Sequence, residues 1–178
     1  MIDDPHLSRP REITTDDQAM FYRTIGRALA EWQNVEEAVC GVFEKVSTCQ
    51  DGNVARAIFY SIQDFSNKLM ATNAAAKQSL SKEIYDKTWK PLRKTVKRES
   101  EFRNALAHFK VVDSIVMGAT EVESYVFMAL IPNFLDPNEI DKERKKEFKE
   151  FTVNQLHTMR SKFISIRDLL NDFAKTIA

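Results

Sequence analysis

Apolar residues recur at alternating spacings of three and four along most of this 178-residue chain, and that period commits it to amphipathic helices packed side by side. From about Thr15 to Ser47 the stripe consists of Ile25, Leu29, Trp32, Val39, Phe43 and Val46, with Glu36 standing at one of its positions. Asp51-Gly52 is a turn. Beyond it Val54, Ile58, Ser61, Ile62, Phe65, Leu69, Thr72 and Ala76 predict a second helix ending near Ser79 to Ser81. A third helical region spans about Lys82 to His108, with Leu92, Val96, Phe102, Leu106 and Phe109 as its buried face. Pro91 lacks an amide and restricts Lys90 before it, so a bend or interruption is expected there.

The period then changes. Val111 to Met117 and Val122 to Ile131 are rich in β-branched and aromatic residues and flank Gly118-Ala119-Thr120-Glu121, the pattern of a β-hairpin. Tyr125 and Phe127 alternate with Val126 and Met128, giving a face that covers the end of a bundle or pairs with another chain. Asp136-Pro137-Asn138-Glu139 opens a short charged helix or a solvated loop running to Glu150. The last helix has the sharpest start: Thr152 and Gln155 form a capping-box pattern, and Phe151 and Leu156 sit where a hydrophobic staple fixes the entering chain. Leu156, Met159, Phe163, Ile166, Leu170, Phe173 and Ile177 carry its core stripe. The expected fold is therefore all-α, a four-helix up-down bundle with a small hairpin inserted before the last helix. Residues 1–14, rich in proline and charge, read as a flexible N-terminal arm, and residues 15–178 as a single helical domain.

Composition narrows the function. Four glycines and five prolines disfavour an all-β sandwich, and no Gly-rich phosphate loop or alternation of strands and helices supports a doubly wound enzyme. The formal net charge is zero, so attraction for nucleic acid has to be local. Cys40 and Cys49 build no disulfide framework and the start of the chain is acidic, which reads as a cytoplasmic protein. No apolar run reaches membrane-spanning length, so no membrane is expected. His6, His108, His157 and the two cysteines never fall at metal-ligand spacing; no metal and no cofactor is expected.

Chemistry concentrates in Arg103-Asn104-Ala105-Leu106-Ala107-His108, which places a permanent cation, an amide and an ionisable imidazole at the close of an apolar helix. In a regular helix Asn104 and His108 share a face, whereas Arg103 and His108 diverge by about 140°. Two arrangements would aim both at one phosphate: local unwinding near His108, or convergence of residues from two protomers. Structural roles for the same residues are an internal carboxylate partner for Arg103, carbonyl capping by Asn104, and His108 at the negative end of the helix dipole.

The stretch matches the Arg-Asn-x-x-x-His signature in full and resembles HEPN domains, helical bundles that include metal-independent endoribonucleases. That resemblance implies a homodimer with a shared cleft at its two-fold axis. It also implies attack of a ribose 2′-hydroxyl on the adjacent phosphate, leaving a cyclic phosphate and a free 5′-hydroxyl. In that chemistry His108 moves protons near neutral pH, Arg103 grips the phosphate, and Asn104 orients the imidazole or touches the backbone. Phe109 departs from the small or polar residue that often follows the histidine in the family, which narrows the expected cleft.

Three roles are open for Glu36: fixing the Arg103 guanidinium, pairing with Arg56, or exposure beside Glu37. Lys90, Lys94, Lys97 and Arg98 lead along one helix face towards Arg103 and would track an RNA backbone, with Trp89 either stacking on an unpaired base or lying in the core. The leading expectation is a dimeric HEPN-like endoribonuclease of a toxin or phage-defence system, with an antitoxin as a protein partner. The alternative is a non-catalytic helical domain for dimerisation or protein interaction.

Overall fold

A computed structural model describes residues 13–116, 125–131 and 151–177, with the side chains of 113–116 and 125–127 outside that description. Six α-helices and one two-stranded sheet make up these residues: α1 (Thr15–Val46), α2 (Gly52–Ser61), α3 (Phe65–Ser79), α4 (Lys82–Ile84), a π-helical turn (Tyr85–Trp89), α5 (Lys90–His108), β1 (Lys110–Val116), β2 (Tyr125–Ile131) and α6 (Val153–Thr176). The mostly helical chain with a small hairpin before its last helix agrees with the sequence. The arm up to residue 12, the hairpin turn and the Asp136 to Glu150 stretch lie outside the described residues.

Two compact units divide the chain, residues 28–104 with 159–178 and residues 1–27 with 105–158. The first, a helical unit, closes around two tryptophans. Trp32 is fully buried and meets Phe65 and Phe163 edge-on at 4.8 and 5.1 Å. Trp89 is equally buried, stacks on Phe173 at 5.7 Å, and donates its indole N–H to Asn73 Oδ1 at 3.2 Å. It is core, so its role as a stacking platform for a base is withdrawn. The stripe on α6 is buried from Met159 through Phe163, Ile166 and Leu170 to Phe173, as its period requires.

The second helix of the sequence reading is two helices. Ile62, Gln63 and Asp64 separate them, because Asp64 in extended backbone caps α3 by accepting the Asn67 amide at 2.8 Å. The face of α2 is also rotated from the one the spacing implied. Ala55 and Phe59 are fully buried while Val54 and Ile58 are each 48% exposed. Polar ties hold that rotation: Arg56 bonds Glu44 at 2.7 Å and pairs with Glu37, which also accepts from the Tyr60 hydroxyl. The expected interruption before Pro91 takes the form of the π turn, in which the Lys90 amide reaches back five residues to the Tyr85 carbonyl.

In the hairpin unit β1 and β2 pair antiparallel, from Lys110 opposite Ile131 to Val116 opposite Tyr125. Leu130 also exchanges both backbone hydrogen bonds, each 3.1 Å, with Phe151. That bridge delivers the chain to the cap of α6, where Thr152 donates its amide to Gln155 Oε1 at 2.8 Å and Phe151 and Leu156 are buried. No helix among the described residues is long and apolar enough to cross a membrane.

Candidate functional site

Arg103 lies near the end of α5 and lines a cleft of about 300 Å³. The cleft is contained in the helical unit. Trp32 and Glu36 of α1, Gln63 and Asp64 of the linker, Phe65 and Ser66 of the first turn of α3, and Ser100 and Asn104 of α5 complete its lining. Three of the residues singled out from the sequence, Glu36, Arg103 and Asn104, are therefore brought to one place. Arg103 donates from Nη1 to Asn104 Oδ1 at 3.2 Å, which leaves the Asn104 amide hydrogens turned to other acceptors.

The electrostatics of the cleft follow from which charges are already spent. Glu36 is paired with Lys68, not with Arg103 or Arg56, and the two side chains are only 12% and 8% exposed. The Lys68 ammonium also sits over the rings of Phe59 and Tyr60, at 5.3 and 5.0 Å. Both oxygens of Asp64 serve the N-cap, accepting from the Asn67 amide and the Asn67 side chain. Among the described residues no carboxylate pairs with Arg103. Its charge is thus the cation of the cleft without an ion-pair partner, while the Asp64 carboxylate, bonded by the neutral groups of Asn67, sets a negative charge against the positive end of the α3 dipole.

Trp32 walls the cleft, and its buried indole N–H finds no acceptor among the described residues. Phe65 beside it is half-buried and meets the Trp32 ring in a T-shaped contact at 4.8 Å. The cleft therefore sets one guanidinium without a carboxylate partner beside two carboxylates, so it is at Arg103 that an anion would be held.

His108 is the last residue of α5, its side chain exposed, and it belongs to the hairpin unit. The Phe109 amide closes the helix end on the Ala105 carbonyl at 2.8 Å. Lys90, Lys94, Lys97 and Arg98 are all exposed on α5. Lys90 is tied to Asp86 at 3.3 Å and Arg98 to Glu99 at 2.9 Å, whereas Lys94 and Lys97 have no carboxylate partner among the described residues. No cluster of three metal-ligating side chains occurs among the described residues.

Sequence reasoning missed Lys68 and the residues from Gln63 to Ser66. The signals were present: Asp64 three residues before Asn67 is an N-cap pattern, and Lys68 interrupts the apolar run beside Leu69. No family model matches this chain, and no curated protein or solved structure matches it.

Proposed function

We propose that the chain is a metal-independent endoribonuclease of the HEPN kind, an up-down helical bundle acting as a homodimer, with a role in toxin or phage-defence systems. The observation that carries this reading is the Arg103 guanidinium, placed at a cleft and paired with no carboxylate among the described residues. A planar cation left free in a site rich in donors suits bidentate contact with a phosphodiester.

In the reaction the 2′-oxygen attacks the adjacent phosphorus, the bond from phosphorus to the 5′-oxygen breaks, and a cyclic phosphate and a 5′-hydroxyl result. A neutral His108 imidazole accepts the 2′-hydroxyl proton, and a protonated His108 of the other copy gives one to the departing 5′-oxygen. The exposure of His108 supports this role, because a general base has to meet its substrate. Arg103 neutralises the charge gathered on the non-bridging oxygens, and Asn104 steadies the guanidinium through its side-chain oxygen.

The test is cleavage of a single-stranded RNA by the full chain with and without a chelator, beside His108→Ala and Arg103→Ala. Chelator-resistant cleavage lost in both variants is the expected result; wild-type protein that leaves the RNA intact overturns the reading. A second reading, a non-catalytic interaction domain, draws on Val54 and Ile58, which lie one turn apart on α2 and are each 48% exposed. It predicts an intact RNA together with a partner bound through α2.

A further inference from the structure

We infer that the cleft beside Arg103 is a ribonucleotide subsite complete within one chain, taking a phosphate ester on Arg103 and a ribose hydroxyl on Glu36. The inference deepens the ribonuclease reading and rests on it for the choice of RNA as the polymer.

The argument starts from the two acids of the cleft. Asp64 has each oxygen already accepting one hydrogen bond from Asn67. Glu36 differs. Lys68 holds one oxygen, Oε1, which fixes the position of the group, while Oε2 receives no hydrogen bond from a described residue. A fixed anionic acceptor facing a cleft of donors selects a ligand that carries both an anion and a hydroxyl, which is the chemistry of a nucleotide.

The donors take the anion. Arg103 supplies a fork, Asn104 turns its amide hydrogens outward because its oxygen is occupied by Arg103, and α3 opens with amides that lack intrahelical acceptors. About 300 Å³ is at the small end of ligand sites and matches one nucleotide better than a longer segment. The half-buried ring of Phe65 gives a base a surface to stack on without selecting its identity. The hydroxyl donated to Glu36 is the 2′-hydroxyl of the nucleotide that follows the scissile phosphate, distinct from the attacking one, and it separates RNA from DNA at this position.

Calorimetric titration of the full chain with adenosine 5′-monophosphate, its 2′-deoxy counterpart and adenosine tests the assignment. Saturable binding is expected, with the ribonucleotide tighter than the other two by about tenfold or more, the usual worth of a hydrogen bond to a charged group. Arg103→Ala should bring the nucleotide down to the affinity of adenosine. Glu36→Gln should abolish the preference for ribose and keep the dependence on phosphate. Since Glu36→Gln strands a buried ammonium, the double variant Glu36→Gln/Lys68→Met carries the same test in a chain with no charge left unpaired. No saturable binding by wild type, equal affinity for ribose and deoxyribose, or an unchanged Arg103→Ala variant overturns the subsite. Its fate separates from that of the nuclease. Ribonucleotide binding without RNA cleavage removes the enzyme and keeps the subsite, and cleavage without mononucleotide binding does the reverse.

Discussion

Lys68 reaches from α3 to pair with Glu36 on α1, and the two side chains are 8% and 12% exposed. The pair is enclosed further by the rings of Phe59 and Tyr60, which face the ammonium at 5.3 and 5.0 Å. A buried ion pair contributes little net stability, because desolvation offsets most of the attraction, yet each half is costly without the other. Glu36→Ala and Lys68→Ala are therefore each expected to destabilise the fold by about 3–5 kcal/mol. Glu36→Leu/Lys68→Met, which removes both charges, should lie within about 1 kcal/mol of wild type or above it. Urea midpoints of the four proteins check this, and additive losses in the double variant would show that the two groups do not act as a pair.

Thr48 follows the last turn of α1 with φ 54°, the left-handed conformation that a β-branched side chain disfavours. The position ends the helix in the manner usually given to glycine, and Thr48 gains only a local bond from its hydroxyl to the Ser47 carbonyl at 2.7 Å. Thr48→Gly should raise stability by about 1 kcal/mol, seen as a higher melting temperature. A fall in melting temperature would mean that the hydroxyl contact outweighs the backbone strain.

Period gave α1 its extent and α5 its C-terminal end, and the start of the last helix was legible from Thr152 and Gln155 because a capping box is a local pattern that needs no tertiary partner. The rotation of α2 was not legible. Val54 and Ile58 fit a stripe as well as Ala55 and Phe59 do, and the choice is made by Arg56 reaching Glu37 and Glu44 on α1, a contact between segments that no local pattern encodes. Glu36 shows the same limit at the site. Its place in an apolar stripe raised the question of a buried partner, with Arg103, Arg56 and simple exposure beside Glu37 all open. Only the packing of α3 on α1 selects Lys68 and leaves Arg103 without a carboxylate. Arg103 and Asn104 were found because their chemistry is carried by adjacent residues, and most of the rest of the cleft was missed because its lining comes from three separate stretches of the chain.

Stability should respond to acid through Glu37. The hydrogen bond from the Tyr60 hydroxyl holds its carboxyl below the usual value of 4.5, burial opposes that shift, and Arg56 reinforces it. A folded-state pKa below the unfolded one gives stability that is complete above about pH 4.5 and is lost as pH falls through the folded value. Urea midpoints measured on acidification should drop in that window, and Glu37→Gln should flatten the drop. The opposite limb involves Cys40, whose thiol is pushed by burial from 9.0 up to about 11. Here the folded pKa is raised, so its contribution persists below about pH 9 and fades as pH climbs towards 11. Native protein should alkylate first at the half-buried Cys49, with Cys40 protected until unfolding.

The exposed cations of α5 are unequal, and RNA binding should reveal it. Lys90 and Arg98 already face Asp86 and Glu99, so part of their field is cancelled within the protein, whereas Lys94 and Lys97 meet no carboxylate among the described residues. A lysine that neutralises one phosphate of single-stranded RNA contributes about 0.7 to the slope of log affinity against log salt. Lys94→Ala and Lys97→Ala should each lower the slope by roughly that amount and weaken binding similarly for unrelated sequences, since phosphate contacts carry no base information. Lys90→Ala and Arg98→Ala should change it less. Fluorescence anisotropy of a labelled single strand over a salt series measures all four, and equal slopes for wild type, Lys94→Ala and Lys97→Ala would remove this face of α5 from the RNA path.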